Sequence, residues 1–348
     1  MAKEPHARSD AVGTLVTIVM SPRERFSGIR RSIDSLYKDT RPPFAFICVD
    51  GGSPRSTQRY LAAQSRRRGF RLIRTEHYLT PNEARNLALR EAETKYVVFI
   101  DNDVVVAPGW LEALTRCAED TGADIVSPLI CIGEPIATNI HFAGGLAAIA
   151  EESGKRVFRE EHLYAGRRLP EVRAALVRRA VELAEFHCML VRKDVFDRFG
   201  PLDENLKTVH EHTDLCLTVR KHGGLVMVEP DAVVTYVLRR GLRLSDLPFY
   251  FFRWSEPSTL ESERHFHGKW DIAFDDRTTR IFVVPHRRMA WSRIRTLAGL
   301  FIGARLSALI YDACADALAR LASRRRERAL APGSHRRPPR DRLDPVSQ

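Results

Sequence analysis

Residues 96–103 read Tyr-Val-Val-Phe-Ile-Asp-Asn-Asp, and this stretch decides the fold. The apolar run from Tyr96 to Ile100 is typical of a strand that is covered on both faces, as strands inside a parallel sheet are. The run ends on two carboxylates, Asp101 and Asp103. In an open α/β sheet the ligand crevice lies outside the carboxyl ends of the strands. The stretch therefore predicts a ligand site at this edge of a parallel sheet.

The sequence around this stretch alternates between short β-rich runs and helix-like segments from residue 14 to residue 130. Such alternation predicts parallel strands joined by crossover helices, and hence an α/β fold. The clearest helix start is Thr80-Pro81-Asn82-Glu83, where threonine is the N-cap, proline takes the first helical position and glutamate returns the capping hydrogen bond. The predicted strands are residues 15–20, 44–49, 71–75, 96–100 and 124–127.

Beyond residue 130 the pattern is more mixed. The stretch 151–185 is charged and helix-prone, which is typical of an insertion or a lid. Glycines close the short segments that follow it. We expect a strand at 186–191, helices at 193–199 and 214–222, and strands at 225–228 and 232–238.

The two ends of the chain differ in composition from its middle. Residues 241–323 predict an aromatic and then helical extension, with an amphipathic helix flanked by arginines near residues 293–310. The stretch 324–348 is rich in arginine and proline and predicts a basic disordered tail, and residues 1–11 predict a flexible N-terminus.

The composition bounds the class of protein. A chain of 348 residues has room for one large α/β domain with an appendage. Its 55 basic and 44 acidic side chains give a net charge of +11, which favours anionic partners. The six cysteines form no C-x-x-C pair, so we expect reduced thiols rather than a zinc ribbon. Without a run of eighteen apolar residues or a signal-peptide pattern, the sequence predicts a cytoplasmic chain.

The two carboxylates of the central stretch indicate a particular chemistry. Asp101 and Asp103 repel each other, and such a pair is best tolerated when a hard divalent cation or ligand hydroxyls share the site. Magnesium or manganese bridging two phosphates would stabilise a departing nucleoside diphosphate as a Lewis acid. The alternative is that both aspartates cap the helix that we expect near Pro108.

A third carboxylate follows another strand, in the segment Val49-Asp50-Gly51-Gly52-Ser53. Asp50 in this position is suited to accept hydrogen bonds from a base or a ribose, while the glycines let the backbone approach a ligand. The segment fits an ordinary strand-to-helix turn equally well. It is not the G-x-G-x-x-G fingerprint of dinucleotide-binding oxidoreductases.

Taken in order, these and later segments resemble the family 2 glycosyltransferases with a GT-A fold, over residues 12–240. The resemblance implies a Rossmann-like, mixed but mostly parallel sheet with helices on both faces. It divides the domain into a nucleotide-sugar-binding half, 12–130, and an acceptor-binding half, 131–240. The matching segments are the turn after the first strand, V-D-G-G-S, P-N-E-A-R-N-L-A, F-I-D-N-D, R-K-D-V-F-D-R-F-G-P-L-D-E-N and E-H-T-D-L-C-L-T-V-R-K-H-G-G.

The resemblance also implies roles for the donor site. Asp50 would bind the base or the ribose, Asp101 the ribose or a metal ion, and Asp103 the metal ion, which would be Mn²⁺ or Mg²⁺. Arg85 and Asn86 would lie near the donor, although both also fit as solvated or capping residues of their helix.

The catalytic base is less clearly marked. Family members commonly have an adjacent Glu-Asp pair whose aspartate deprotonates the acceptor hydroxyl, and this chain has Glu211 followed by His212. An imidazole with its ordinary pKa of about 6.5 is a workable base at neutral pH. Glu211 and Asp214 remain alternative bases, and Asp214 also fits as a helix-start carboxylate.

A second departure concerns the metal site. Tyr236 stands where many family members have a histidine that completes the site, and tyrosine, with a pKa of about 10, is a poor ligand at neutral pH. The metal would then rest on Asp103, the donor phosphates and water, or on another histidine such as His210 or His212. A reduced metal requirement is the other alternative. His187 either touches substrate or is a structural residue.

The resemblance implies an enzyme, a hexosyl- or related transferase, that moves a sugar from a nucleotide-diphosphate donor to an acceptor hydroxyl with inversion. Its acceptor would be a glycan or a lipid-linked compound, in cell-surface glycan, glycolipid or secondary-metabolite glycan synthesis. The alternative, suggested by His212 and Tyr236, is a catalytically idle module that binds a nucleotide sugar or a glycan.

The basic C-terminal segment bears on partners. Its arginines and amphipathic helix either contact the inner membrane surface peripherally or pack on the protein itself. Nucleic acid is not expected as a partner, since the basic residues lack interleaved aromatic residues and no binding motif is present.

Overall fold

The computed structural model describes residues 15–135, 138–238, 242–276, 280 and 302–330. The strands are β1 Val16–Ser21, β2 Ala45–Gly51, β3 Arg71–Thr75, β4 Tyr96–Asp101, β5 Val104–Val106, β6 Ile125–Ile132, β7 Asn139–Phe142, β8 Gly145–Glu152, β9 Lys155–His162, β10 Arg179–Ala180, β11 Cys188–Arg192 and β12 Val226–Tyr236. The helices are α1 Ile29–Asp39, α2 Arg55–Arg68, α3 Pro81–Leu89, α4 Trp110–Thr121, α5 Leu169–Val172, α6 Asp194–Phe199, α7 Glu211–Lys221, α8 Leu247–Arg253, α9 Glu256–Trp270 and α10 Ala304–Leu330.

One mixed sheet carries the fold, with the strand order β10-β12-β6-β11-β4-β1-β2-β3, while β5 pairs with β12 and β7 pairs with β6. The strands β3, β2, β1 and β4 run parallel, and β11 lies antiparallel between β4 and β6. The predicted mixed, mostly parallel sheet is therefore confirmed, as are the helices of the C-terminal extension.

The central position of β4 explains its apolar sequence. Every residue of β1 and β4 is buried, because helices cover both faces of the sheet at this point. Removing one such Val, Ile or Phe side chain from water stabilises the fold by about 1.5–3 kcal/mol. The register pairs Ser21 with Asp101, so the polar ends of the two strands meet at one edge.

The start of α3 follows the prediction. Thr80 and Glu83 form the capping box, and Pro81 is the first helical residue. The helix lies almost entirely buried against the sheet.

The stretch 151–185 is not the helical segment expected, because residues 151–162 belong to the antiparallel hairpin β8–β9 and its helices are only α5 and the 3₁₀ turn Arg173–Ala175. Ser153 and Gly154 both have positive φ, 50° and 73°, which is the geometry of a tight two-residue hairpin turn. Charged side chains of the two strands pair diagonally across the hairpin, as Arg159 and Glu152 do. In a hairpin these charges remain in water, so their number does not favour a helix.

Two other boundaries differ from the prediction. The strands expected at 225–228 and 232–238 are one strand, β12, with a bulge between Glu229 and Val233 that accommodates Pro230. Helix α7 begins at Glu211 rather than Asp214, so all the candidate base residues lie in its first turn.

The predicted C-terminal tail begins too early, since α10 continues to Leu330. Arg326 in this segment forms an ion pair with Glu83 of α3, which holds the end of the helix against the domain. The predicted N-terminus 1–11, the tail 331–348 and most of the predicted helix 293–310 lie outside the described residues. Among the described helices, none has the length and apolar character needed to cross a bilayer.

Candidate functional site

Asp101 ends β4 at the centre of a buried ion-pair cluster. Its carboxylate lies 3.1 Å from Arg23 Nη1, 3.3 Å from His187 Nδ1 and 3.6 Å from Arg85 Nη2. Burial alone would raise the pKa of Asp101, but the hydrogen bond from His187 and the charges of the two arginines lower it to about 2. Asp101 is therefore a fixed negative charge at the edge of the sheet.

Asp103 is the buried acid without hydrogen-bond partners. Neither carboxylate oxygen accepts a hydrogen bond from a described residue, and Arg25 Nε lies 3.5 Å from Oδ2. Burial, with the nearby negative charges of Glu24 and Asp101, raises the pKa of Asp103 to about 7 although Arg25 opposes the shift. Two unpartnered carboxylate oxygens in a buried site fit the divalent cation that the family resemblance implies.

His187 joins the two aspartates. The ligand atoms of Asp101, Asp103 and His187 all lie within 4.8 Å of one another, which is a spacing suited to one metal ion. Burial and the charge of Arg23 lower the pKa of His187 to about 4, so the imidazole is neutral and able to coordinate at pH 7. His210 and His212 belong to no such group within the described ranges.

The position of His187 follows from strand pairing. Cys188 begins β11 opposite Ile100, and the Asp101 backbone N–H donates to the His187 carbonyl at 3.1 Å. The antiparallel insertion of β11 beside β4 thus carries the histidine to the aspartate. The sequence predicts His187 within a strand at 186–191, as a substrate contact or a structural residue. It does not give the pairing partner of that strand, which is the missing signal.

Asp50 lies at the same edge of the sheet, two strands from Asp101, or about 10 Å at the usual strand spacing. Its carboxylate accepts hydrogen bonds from the backbone N–H and the hydroxyl of Ser53 and from Arg74. Gly52 in the turn has φ 71°, and a Cβ there would approach the His77 carbonyl carbon to 3.0 Å. The turn therefore needs glycine to bring the backbone close.

The adjacent residues Arg85 and Asn86 point in different directions. Arg85 stacks over the Phe186 ring at 3.8 Å and faces Asp101, and burial lowers its pKa to about 10. Asn86 accepts from the Leu202 backbone N–H and donates to the Leu202 carbonyl and to Glu204. Arg85 thus belongs to the carboxylate cluster, while Asn86 fastens the loop before α7.

Tyr236 supports the loop that carries Arg23 and Arg25. Its hydroxyl donates to Glu24 Oε1 at 3.2 Å, and Trp254 Nε1 donates to the other oxygen of Glu24 at 3.2 Å. The Tyr236 ring lies beside the His187 ring, with 4.4 Å between centroids. Tyr236 therefore positions a loop and an imidazole rather than offering a ligand atom.

The first turn of α7 separates the three candidate bases. Asp214 accepts hydrogen bonds from Trp270 Nε1 at 2.9 Å and Lys269 Nζ at 2.8 Å, which tie it to α9. Glu211 pairs with the buried Arg253, at 3.3 Å. The His212 Nε2 atom is buried and has no hydrogen-bond partner among the described residues.

Residues 17–199 match the sequence profile described as Glycosyl transferase family 2. The chain belongs to glycosyltransferase family 2. The profile match covers both carboxylate-bearing strand ends, β11 and His187. The matched residues therefore include the cluster at the carboxyl ends of β2 and β4.

Curated relatives of this family 2 chain are distant. It is 27% identical over 231 residues to the Pre-mycofactocin glycosyltransferase of Mycobacterium tuberculosis, covering 66% of this chain and 44% of the relative. It is 25% identical over 214 residues to an uncharacterized protein of Sinorhizobium fredii, covering 60% of this chain and 23% of that protein. The chain thus spans less than half the length of these curated relatives.

The fold of the family 2 chain is similar to that of a solved glycosyltransferase. A crystal structure of GalNAc-T7 with UDP, GalNAc and Mn²⁺ aligns with a TM-score of 0.51, at 14% identity, over 85% of this chain and 57% of that one. At this identity the similarity concerns the fold, which is the GT-A arrangement.

Proposed function

We propose that this protein transfers a sugar from a nucleotide-diphosphate donor to an acceptor hydroxyl, with inversion at the anomeric carbon. The observation that carries the proposal is the buried group of Asp101, Asp103 and His187, in which both oxygens of Asp103 lack hydrogen-bond partners. The family assignment and the relative named as a glycosyltransferase support the same chemistry.

Asp103, Asp101 and His187 would hold a divalent cation, Mn²⁺ or Mg²⁺, and such a cation supplies Lewis-acid stabilisation to a departing diphosphate. The chain itself adds positive charge at this place through Arg23 and Arg25. Guanidinium groups hold phosphate oxygens through directed hydrogen bonds, so these two side chains would bind the donor and help to neutralise the leaving group.

Asp50 would orient the nucleoside. Its distance from Asp101, about 10 Å across two strands, is of the order of a nucleoside's length. Ser53 and Arg74 fix the carboxylate in one rotamer, and a fixed acceptor discriminates better between ligand donors than a mobile one.

His212 would deprotonate the acceptor hydroxyl. Its Nε2 atom has no hydrogen-bond partner among the described residues, whereas Asp214 accepts from two donors and Glu211 pairs with Arg253. Arg253 also lies within electrostatic range of Asp101, so the start of α7 faces the carboxylate cluster. A single displacement needs only this base, because no covalent intermediate is formed.

The acceptor would be a glycan or a lipid-linked compound, and the described part of α10 supports the second of these. Three of its exposed residues, Leu306, Leu309 and Ile310, form an apolar stripe with Ile302 just before the helix, each between 43% and 68% exposed. Exposed arginines follow on the same side at Arg320, Arg324 and Arg328. An apolar stripe beside arginines is suited to the surface of an anionic membrane. We propose that this side of α10 contacts such a membrane.

The alternative is a module that binds a nucleotide sugar without turnover. Arg23 and Arg25 favour it, because they already neutralise part of the charge of Asp101 and Asp103. Full neutralisation by arginine would remove the need for a metal ion and for the chemistry it supports.

Donor hydrolysis and transfer, measured over a panel of nucleotide sugars with Mn²⁺, separate the two functions. We expect release of free nucleoside diphosphate by the wild type and loss of at least 100-fold in Asp103→Asn. Asp231→Asn, which breaks an exposed ion pair with Arg173, is the matched control and should keep full activity. If the protein binds a donor but releases no nucleoside diphosphate with any acceptor, it is the binding module instead.

A further inference from the structure

A second group of metal-ligating side chains lies next to the first. The ligand atoms of His141, Glu185 and His187 are all within 4.8 Å of one another. His141 comes from β7, while Glu185 and His187 come from the segment before β11. The sheet brings these segments together because β7 and β11 both pair with β6.

Glu185 is the unusual member of this group. Its side chain is only 10% exposed, and its Oε2 atom, 3.2 Å from His141 Nε2, receives no hydrogen bond of good geometry from any described residue. The other oxygen lies 3.9 Å from His162 Nδ1. A buried carboxylate with an unpartnered oxygen is costly unless a cation is present, and no lysine or arginine of the described chain pairs with it.

We propose that His141, Glu185 and His187 bind a second divalent cation, one of the transition series such as Zn²⁺. Two imidazole nitrogens and one carboxylate oxygen are donors that Zn²⁺ and Co²⁺ favour, whereas Mg²⁺ prefers oxygen ligands alone. This site differs from the group around Asp103 in its donors, because His141 and Glu185 take the places of Asp101 and Asp103 beside the shared His187. Because the Asp103 group shares His187, a cation here would fix the imidazole whose Nδ1 lies 3.3 Å from Asp101.

The competing explanation is a proton in place of the metal. His141, when protonated, would form an ordinary ion pair with Glu185 at the observed 3.2 Å. The two explanations differ in what they bind, since an ion pair takes up no metal ion. They are separated by a metal titration that needs no sugar donor, so the result does not depend on the proposed transferase activity.

The experiment is a titration of the metal-free full-length chain with Co²⁺ alone, followed by visible absorption. The titration uses Asp103→Asn, in which the first cation group lacks a carboxylate, so that Co²⁺ bound there does not contribute. We expect a d–d absorption band that saturates with Co²⁺ in Asp103→Asn and disappears when His141→Ala or Glu185→Gln is added. His222→Ala in the same background changes an exposed histidine outside both groups, whose Nδ1 lies 2.9 Å from the Thr218 carbonyl, and it should leave the band unchanged.

Thermal unfolding with and without Zn²⁺ gives a second measurement. A cation bound only by the folded chain raises the melting temperature, and we expect this rise in the wild type and in Asp103→Asn but not when His141→Ala is added to Asp103→Asn. Melting curves without metal show whether each variant is folded. A band and a melting shift that survive in Asp103→Asn after either His141→Ala or Glu185→Gln is added, or the absence of any band in Asp103→Asn, would overturn the proposal.

Discussion

At position 236 this chain carries a tyrosine where the family resemblance implies a histidine. The structure gives the tyrosine a different task, because its hydroxyl donates to the buried Glu24. The imidazole near the aspartates is that of His187, in the segment before β11, which pairs with β4. If His187 is the ligand proposed above, the site keeps an imidazole donor that comes from a different segment of the chain.

Replacing Tyr236 by phenylalanine tests this assignment. We expect Tyr236→Phe to lower the free energy of unfolding by about 1–2 kcal/mol, because Glu24 loses a hydrogen bond in a buried place. Urea unfolding measures the change. Tyr60→Phe is the control, since the buried Tyr60 hydroxyl has no hydrogen-bond partner in the described part of the chain and its removal should change the stability little. Equal losses in the two variants would contradict the role of Tyr236.

The base assignment predicts a kinetic difference within one helical turn. We expect His212→Gln to lower kcat by about 10²–10⁴-fold at an unchanged KM for the donor, because general-base catalysis contributes about this much. Asp214→Asn should act through stability instead, since Asp214 bonds Lys269 and Trp270. Initial rates and melting temperatures of both variants separate the effects. If Glu211→Gln lowers kcat more than His212→Gln does, and His212→Gln stays active, Glu211 is the base instead.

At the scale of elements, α9 acts as a clamp on the loop before α7. Lys269 donates to Asp203 and Asp214 at once, and His265 pairs with Asp203 at 2.8 Å. Ser262 accepts from the backbone N–H groups of Lys207 and Thr208. The loop before α7 is therefore fixed on one side by α3, through Asn86, and on the other by α9. This clamp holds the first turn of α7 beside the carboxylate cluster.

The clamp makes stability depend on acid pH. Burial alone would raise the pKa of Asp203, but hydrogen bonds from His265 and Lys269 lower it to about 2. The unfolded chain, with a carboxyl pKa of about 3.9, binds the proton more readily, so the stabilisation is complete above pH ~4 and is lost as the pH falls from ~4 to ~2.

We therefore expect Asp203→Asn to lower the unfolding free energy at pH 6 by about 1 kcal/mol, allowing for solvent screening, and by less at pH 2.5. Urea unfolding at the two pH values checks it. Asp231→Asn, at an exposed ion pair, serves as the control. A loss of the same size at both pH values would show that the carboxylate charge is not responsible.

At the scale of the whole molecule, α10 has one side packed on the domain and one exposed side. One side of the helix packs on α8 through Ala319 and Ala322, and Arg326 reaches Glu83 of α3. The other side carries the apolar stripe. Since α8 also supplies Arg253 to the site, the helix proposed to meet the membrane rests on an element that lines the carboxylate cluster.

Vesicle co-sedimentation tests the membrane proposal. We expect binding to vesicles of phosphatidylglycerol and phosphatidylcholine, and weaker binding to phosphatidylcholine alone or at high salt. Leu306→Glu with Leu309→Glu should abolish binding to both. Leu244→Glu, at an exposed leucine outside α10, is the control and should bind normally. Undiminished binding by the α10 variant, or none by the wild type, would overturn the proposal.

The sequence by itself determined the parallel strands, the capping box of α3 and the strand-end aspartates, because these depend on local periodicity and on short-range hydrogen bonds. It did not reveal that His187 lies against Asp101, or that Asp214 turns away to Lys269 and Trp270. Those relations join residues far apart in the chain. They depend on the pairing of β11 with β4 and on the packing of α9 against α7, which only the tertiary structure decided.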